Sequence, residues 1–125
     1  MATWAVVKVT KTGKGFFFIN THLDHEDPQA QAGGMRVIMQ KFEELNTEKL
    51  PQVLVGDFNQ VQESSIFDVC LKTMYNARKK AYSTDITNTY NAWGQAQTES
   101  LIISLFLWHI FMYIPTEPST RLMLV

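Results

Sequence analysis

Two short stretches hold side chains whose types and spacing could do chemistry. One is Val53-Leu54-Val55-Gly56-Asp57-Phe58-Asn59, an apolar run that ends in glycine and then presents a carboxylate and a carboxamide around one aromatic. The other is Asn20-Thr21-His22-Leu23-Asp24-His25, at the end of the apolar run from Phe16 to Ile19. Asp57 and Asn59 are two apart, so on extended backbone they point the same way. They offer oxygen atoms of the kind Mg2+ accepts, a hard ion that keeps several waters and needs only one or two carboxylates beside a substrate phosphate. A histidine such as His22 can donate to phosphate or shuttle a proton near neutral pH. Phosphoryl hydrolysis asks for a positioned water, a metal to absorb charge and donors for the phosphate oxygens. Each stretch alone has an ordinary reading: Gly-Asp after a strand starts many turns, and His-x-Asp-His suits a solvated loop. Their joint placement at two strand ends is what points to a single metal- and phosphate-handling site.

The elements that must position these groups can be read from periodicity. Trp4 to Val9 and Phe16 to Asn20 flank the polar, glycine-containing Lys11-Thr12-Gly13-Lys14-Gly15, which predicts a hairpin with His22 to His25 in the loop beyond it. Asp27-Pro28 suits an N-cap and first helical position, and Met35, Ile38, Phe42 and Leu45 form one apolar stripe. Gly33-Gly34 weakens the first turns by about 1 kcal/mol per glycine, so a firm helix is expected only over Met35 to Leu45. Gln52 to Gly56 is the next strand. Ser65-Ile66-Phe67-Asp68 fits a capping box, opening a helix that carries Ile66, Val69, Cys70 and Met74 on one face. Arg78-Lys79-Lys80 suits a solvated helix end, where the dipole favours cations. The fold class expected is α/β: hairpin, helix, strand, helix, with helices on one face of a sheet.

At 125 residues the chain can form one modest domain with a real core. A formal net charge of −1 supplies no global basic field for nucleic acid, though a local groove can still be basic. The single cysteine, Cys70, excludes an internal disulfide and belongs in the core rather than in nucleophilic chemistry. Met1-Ala2-Thr3-Trp4 runs straight into a strand pattern without the features of a signal peptide, so the chain is expected to begin inside a domain and its compartment stays open.

With those residues in view, the chain resembles the endonuclease/exonuclease/phosphatase superfamily, whose fold is DNase I-like. Asn20 to His25 is similar to its N-T-H-L-D-H motif and Gly56 to Asn59 to its G-D-F-N motif. Thr3-Trp4-Ala5, Asn76-Ala77-Arg78 and Thr89-Tyr90-Asn91 fit the order of landmarks in bacterial members, over about residues 2–97. The resemblance implies part of a two-sheet α/β sandwich and hydrolysis of phosphodiesters or phosphomonoesters with Mg2+ or Mn2+. Asp57 would orient or activate the attacking water, Asn59 would hold the scissile phosphate or a metal water, and His22 would stabilise charge on the phosphate. Asp57 and Asn59 are the implied metal ligands. Asn20, Asp24 and His25 complete the motif as substrate-binding candidates. Nucleic acid, sugar phosphates and phospholipid headgroups are all substrates of such enzymes.

The chain also departs from the family pattern. The family's metal ligands include an asparagine and a glutamate from strands that would precede Ala2, and its closing I-D-Y-I-F and S-D-H motifs do not occur after Gln97. The expectation is therefore a fragment, weak or inactive by itself: residues 1–97 a partial domain, and residues 98–125 an irregular apolar tail. From Leu101 to Ile114 the tail is mostly apolar but too short to cross a bilayer, which takes about twenty residues. The alternative reading is a non-enzymatic interaction module that self-associates or docks through this tail. A zinc hydrolase built on His22 and His25 falls short of the expected ligand count. Read one base earlier, with free bases chosen accordingly, Ser100 to Phe106 encodes Ile-Asp-Tyr-Ile-Phe-Ile. The prediction is that the nucleotide sequence contains that string in the shifted frame; its absence there would rule out a frame shift.

Overall fold

The computed structural model describes residues 1–80 and the backbone of residues 111–113. Strands β1 (Ala2–Lys8) and β2 (Gly15–His22) form the expected hairpin, in register from Ala2 opposite Thr21 to Lys8 opposite Gly15. Gly13 takes φ +71° in its turn, a conformation that costs glycine little. Strand β3 (Gln52–Asp57) runs parallel to β2, so the connection between them must cross over, and helix α1 (Pro28–Leu45) makes that crossing. Short strands β4 (Tyr75–Asn76) and β5 (Phe111–Tyr113) complete a sheet of order β1-β2-β3-β5-β4, with β5 antiparallel to both neighbours.

Helix α1 is longer than its glycines suggest and runs unbroken through Gly33-Gly34. The Asp27 side chain accepts from the Gln29 N–H at 2.8 Å, and proline occupies the first turn. Packing outweighs propensity as well: a Cβ on Gly34 would lie 3.2 Å from Leu23 Cδ2, so the missing side chain lets the helix approach the loop after β2. From α1, Met35, Ile38 and Phe42 bury against Phe17, Ile19 and Leu54, with the Phe17 and Phe42 rings 5.7 Å apart.

The second helical region differs from the expectation in its start and length. Ser64, not Ser65, supplies the capping oxygen, to the Ile66 N–H at 3.5 Å, and opens a 3-10 turn over Ser65–Phe67. Helix α2 (Asp68–Leu71) then lasts barely one turn, and Met74 enters the core from beyond it. Cys70 is buried as expected, and burial pushes its thiol up to about 12, far from a reactive thiolate. Arg78, Lys79 and Lys80 sit in the short helix α3 (Ala77–Lys80). No helix among the described residues is long and apolar enough to cross a membrane.

Of the apolar tail, Phe111–Tyr113 lines up against Gln52 to Leu54 of β3. The boundary near residue 97, Thr89-Tyr90-Asn91, His109 and docking through residues 101–110 lie outside the described residues.

Among the described glycines Gly56, at φ +151°, is the most crowded: a Cβ there would lie 2.0 Å from the backbone oxygen of Thr21. Gly33 has nothing within 4 Å of its would-be Cβ. Gly56→Ala is expected to lower stability by about 2–5 kcal/mol through backbone strain and overpacking. Gly33→Ala should raise it by about 0.5–1 kcal/mol. Urea denaturation of the two variants beside the unaltered chain checks both signs.

Candidate active site

Parallel pairing brings the two motifs together at the same end of the sheet. His22 is the last residue of β2 rather than a loop residue, and it lies directly opposite Asp57, the last residue of β3. Side chains of residues paired in register leave the sheet on one side, so both project from the face turned away from α1. His22 Nε2 stands 4.0 Å from Asp57 Oδ2, and the His22 side chain is 69% exposed while that of Asp57 is 23% exposed. Ligands of open α/β sheets bind outside the carboxyl ends of parallel strands, which is where this pair stands. Val55 and Val53 lie along the same face two and four residues back from Asp57, and Phe18 and Phe16 four and six back from His22.

Asn59 completes the group by a different route. It lies past the strand at φ +49°, a left-handed conformation that asparagine tolerates better than most residues. Its backbone N–H donates to Asp57 Oδ1 at 3.0 Å, which leaves Asp57 Oδ2 turned to His22. Its side-chain Nδ2 donates to the Leu23 carbonyl at 2.9 Å, and the Leu23 N–H donates to the Asp57 carbonyl at 2.9 Å. Asn59 Oδ1 is then a buried acceptor without a hydrogen-bond partner among the described residues. Such an orphan in a native fold calls for a water, an ion or another donor. A carboxylate oxygen and an unpaired carboxamide oxygen are hard donors, so Asp57 and Asn59 fit a Mg2+-type ion that draws its remaining ligands from water and substrate. Among the described residues no three His, Cys, Asp or Glu side chains converge.

The other candidates are placed less directly. Asn20 stands two residues before His22 on the same face of β2, exposed, between Thr3 and Val55. Asp24 turns its Oδ1 to the backbone N–H groups of Glu26 and Asp27, each at 2.8 Å. The Asp27 N–H, then that of Glu26, hold its carboxyl below the usual carboxylate value. Asp24 therefore staples the loop into the start of α1. His25 is exposed and faces Glu26 Oε1 at 3.3 Å.

Two residues escape the motif reading. Gln31, buried to 2% exposure on α1, donates from Nε2 to the Asp24 carbonyl at 2.7 Å and to the Asn59 carbonyl at 3.5 Å. Its Oε1 accepts from Gln60 Nε2 at 2.6 Å. The signal available was position: Gln31 lies four residues before Met35, in line with the apolar stripe, where a polar residue needs a partner.

No protein-family model and no curated protein matches the sequence. Solved structures do. An endonuclease/exonuclease/phosphatase from Bacteroides vulgatus is similar over 90% of this chain and 43% of its own, at 30% identity and TM-score 0.77. A Bacteroides thetaiotaomicron mannosyl-6-phosphatase is similar over 94% of this chain and 43% of its own, at 29% identity and TM-score 0.75. The human Nocturnin catalytic domain, at 16% identity and TM-score 0.66, shares the fold over 90% of this chain and 40% of its own. The chain spans about two-fifths of the length of these structures. Over that span, it has the DNase I-like fold of the endonuclease/exonuclease/phosphatase superfamily.

Proposed function

We propose that the chain carries one pole of a metal-assisted phosphoesterase site. The observation that carries this reading is the side-by-side placement of His22 and Asp57 at the ends of parallel strands, with Asn59 locked beside them. Asp57 Oδ2 is placed to orient the attacking water and draw its proton, and the exposed His22 ring to donate to a phosphate oxygen. Asp57 and Asn59 would hold a divalent cation, Mg2+ or Mn2+, which when bound absorbs charge developing on the phosphoryl group. Asn20 stands on the same face within the reach of a bound substrate, while Asp24 and His25 shape the loop.

The substrate class is a phosphate ester. A sugar phosphate is the first to try, given the similarity to a mannosyl-6-phosphatase, ahead of nucleic acid and phospholipid headgroups. Two strand ends supply one carboxylate, one carboxamide and one imidazole, less than phosphoryl transfer usually employs. The 125-residue chain by itself is accordingly expected to turn over slowly or not at all. The alternative, docking through the apolar tail, falls mostly on residues outside those described.

Titration of the 15N-labelled chain with MnCl2 should broaden the signals of Asp57 and Asn59 first, and Asp57→Ala should abolish that selectivity. Any turnover of mannose 6-phosphate with Mg2+ should fall by about 100-fold or more in His22→Ala. Broadening centred elsewhere, or turnover indifferent to both substitutions, would overturn the assignment.

A further inference from the structure

We infer that Gln31 is a positioning residue: its buried carboxamide holds Asn59 in the orientation the cation pole requires, and the inference rests on the reading of that pole given above. The argument begins with what Asn59 needs. A non-glycine residue in left-handed backbone persists only where its surroundings over-determine it. Asn59 is restrained through its N–H by Asp57, through its side chain by Leu23, and through its carbonyl by Gln31 Nε2. The next residue, Gln60, is held by Gln31 Oε1. Gln31 thus grips the chain on the C-terminal side of Asn59 at two successive residues.

The orientation of the Gln31 carboxamide is not free. Its nitrogen faces two carbonyl oxygens, those of Asp24 and Asn59, and its oxygen faces the Gln60 amide donor. Flipping the group would set oxygen against oxygen at 2.7 Å. The short bonds to Asp24 and Gln60 therefore fix the amide plane, and the longer one to Asn59 follows from it. Because Gln31 belongs to α1, the helix reaches both motif loops through one buried side chain. The Leu23 carbonyl that takes Asn59 Nδ2 lies beside Asp24, whose carbonyl Gln31 holds. Loss of Gln31 would loosen both partners of that contact together, and with it the aim of Asn59 Oδ1.

A residue that merely anchors the helix would not distinguish Asn59 from the core, which supplies the test. In Gln31→Met, similar in length but without polar atoms, hydrogen exchange of the Asn59 N–H is expected to speed at least tenfold, while the Leu54 and Phe42 amides stay within about twofold. Affinity for Mn2+, followed by broadening of the Asn59 signals, is expected to fall about tenfold. Uniform loosening of loop and core would reduce Gln31 to a structural anchor and overturn the inference, as would unchanged exchange at Asn59. If the unaltered chain shows no Mn2+ binding, the cation pole fails and the exchange comparison still decides the role of Gln31. Gln60→Ala, which removes a partly exposed side chain and with it the bond that holds Gln31 Oε1, should loosen Asn59 in the same direction. It keeps the inference testable if Gln31→Met does not fold.

Discussion

The close approach of β3 to β2 at Gly56 is the constraint on which the site depends. Parallel strands hold their partners a fixed distance apart, and here a side chain at the penultimate position of β3 would collide with the backbone of Thr21. Glycine removes the collision and tolerates the positive φ that the turn out of the strand demands. One residue later Asp57 stands opposite His22, so the spacing of imidazole and carboxylate is inherited from the sheet. The glycine of the motif thus acts through geometry, setting where its polar neighbours stand.

Around that pair the loops are secured by backbone groups more than by side-chain charges. Leu23 donates to the Asp57 carbonyl and accepts from Asn59, Asp24 gathers two backbone N–H groups, and Gln31 ties the loops to α1. Hydrogen bonds of this kind contribute about 1 kcal/mol each, but several converging on one loop pair define a conformation that none would hold alone. Asp57 gives one oxygen to the turn and presents the other toward His22.

How much of this was legible follows from what each residue depends on. The hairpin, the crossover helix and the strand before Gly56 could be read because apolar spacing records which face is buried. His22, Asp57 and Asn59 could be picked out because two polar groups close two apolar runs and match the two motifs together, although each stretch alone suits an ordinary turn or loop. The reach of α1 through Gly33-Gly34 could not, since the compensating contact with Leu23 comes from a distant part of the chain. Ser64 and Ser65 are equal candidates in sequence, and only the local turn selects the first. Asp24 matches the motif by type, and its two backbone donors appear only once the loop is folded. Strand β5 lies in an apolar run whose composition carries no period to mark three residues out.

The parallel pairing of β2 and β3 also has a kinetic meaning. An antiparallel hairpin such as β1–β2 can close locally, and its end already carries His22. Asp57 arrives only after the whole crossover, including α1, has been laid against the sheet, a closure whose entropy must be met before its contacts reward it. The His22–Asp57 contact therefore closes a longer stretch of chain than any pair within the hairpin. Any opening that detaches β3 from β2 separates the pair before it disturbs the hairpin, so the site persists only as long as the crossover stays closed.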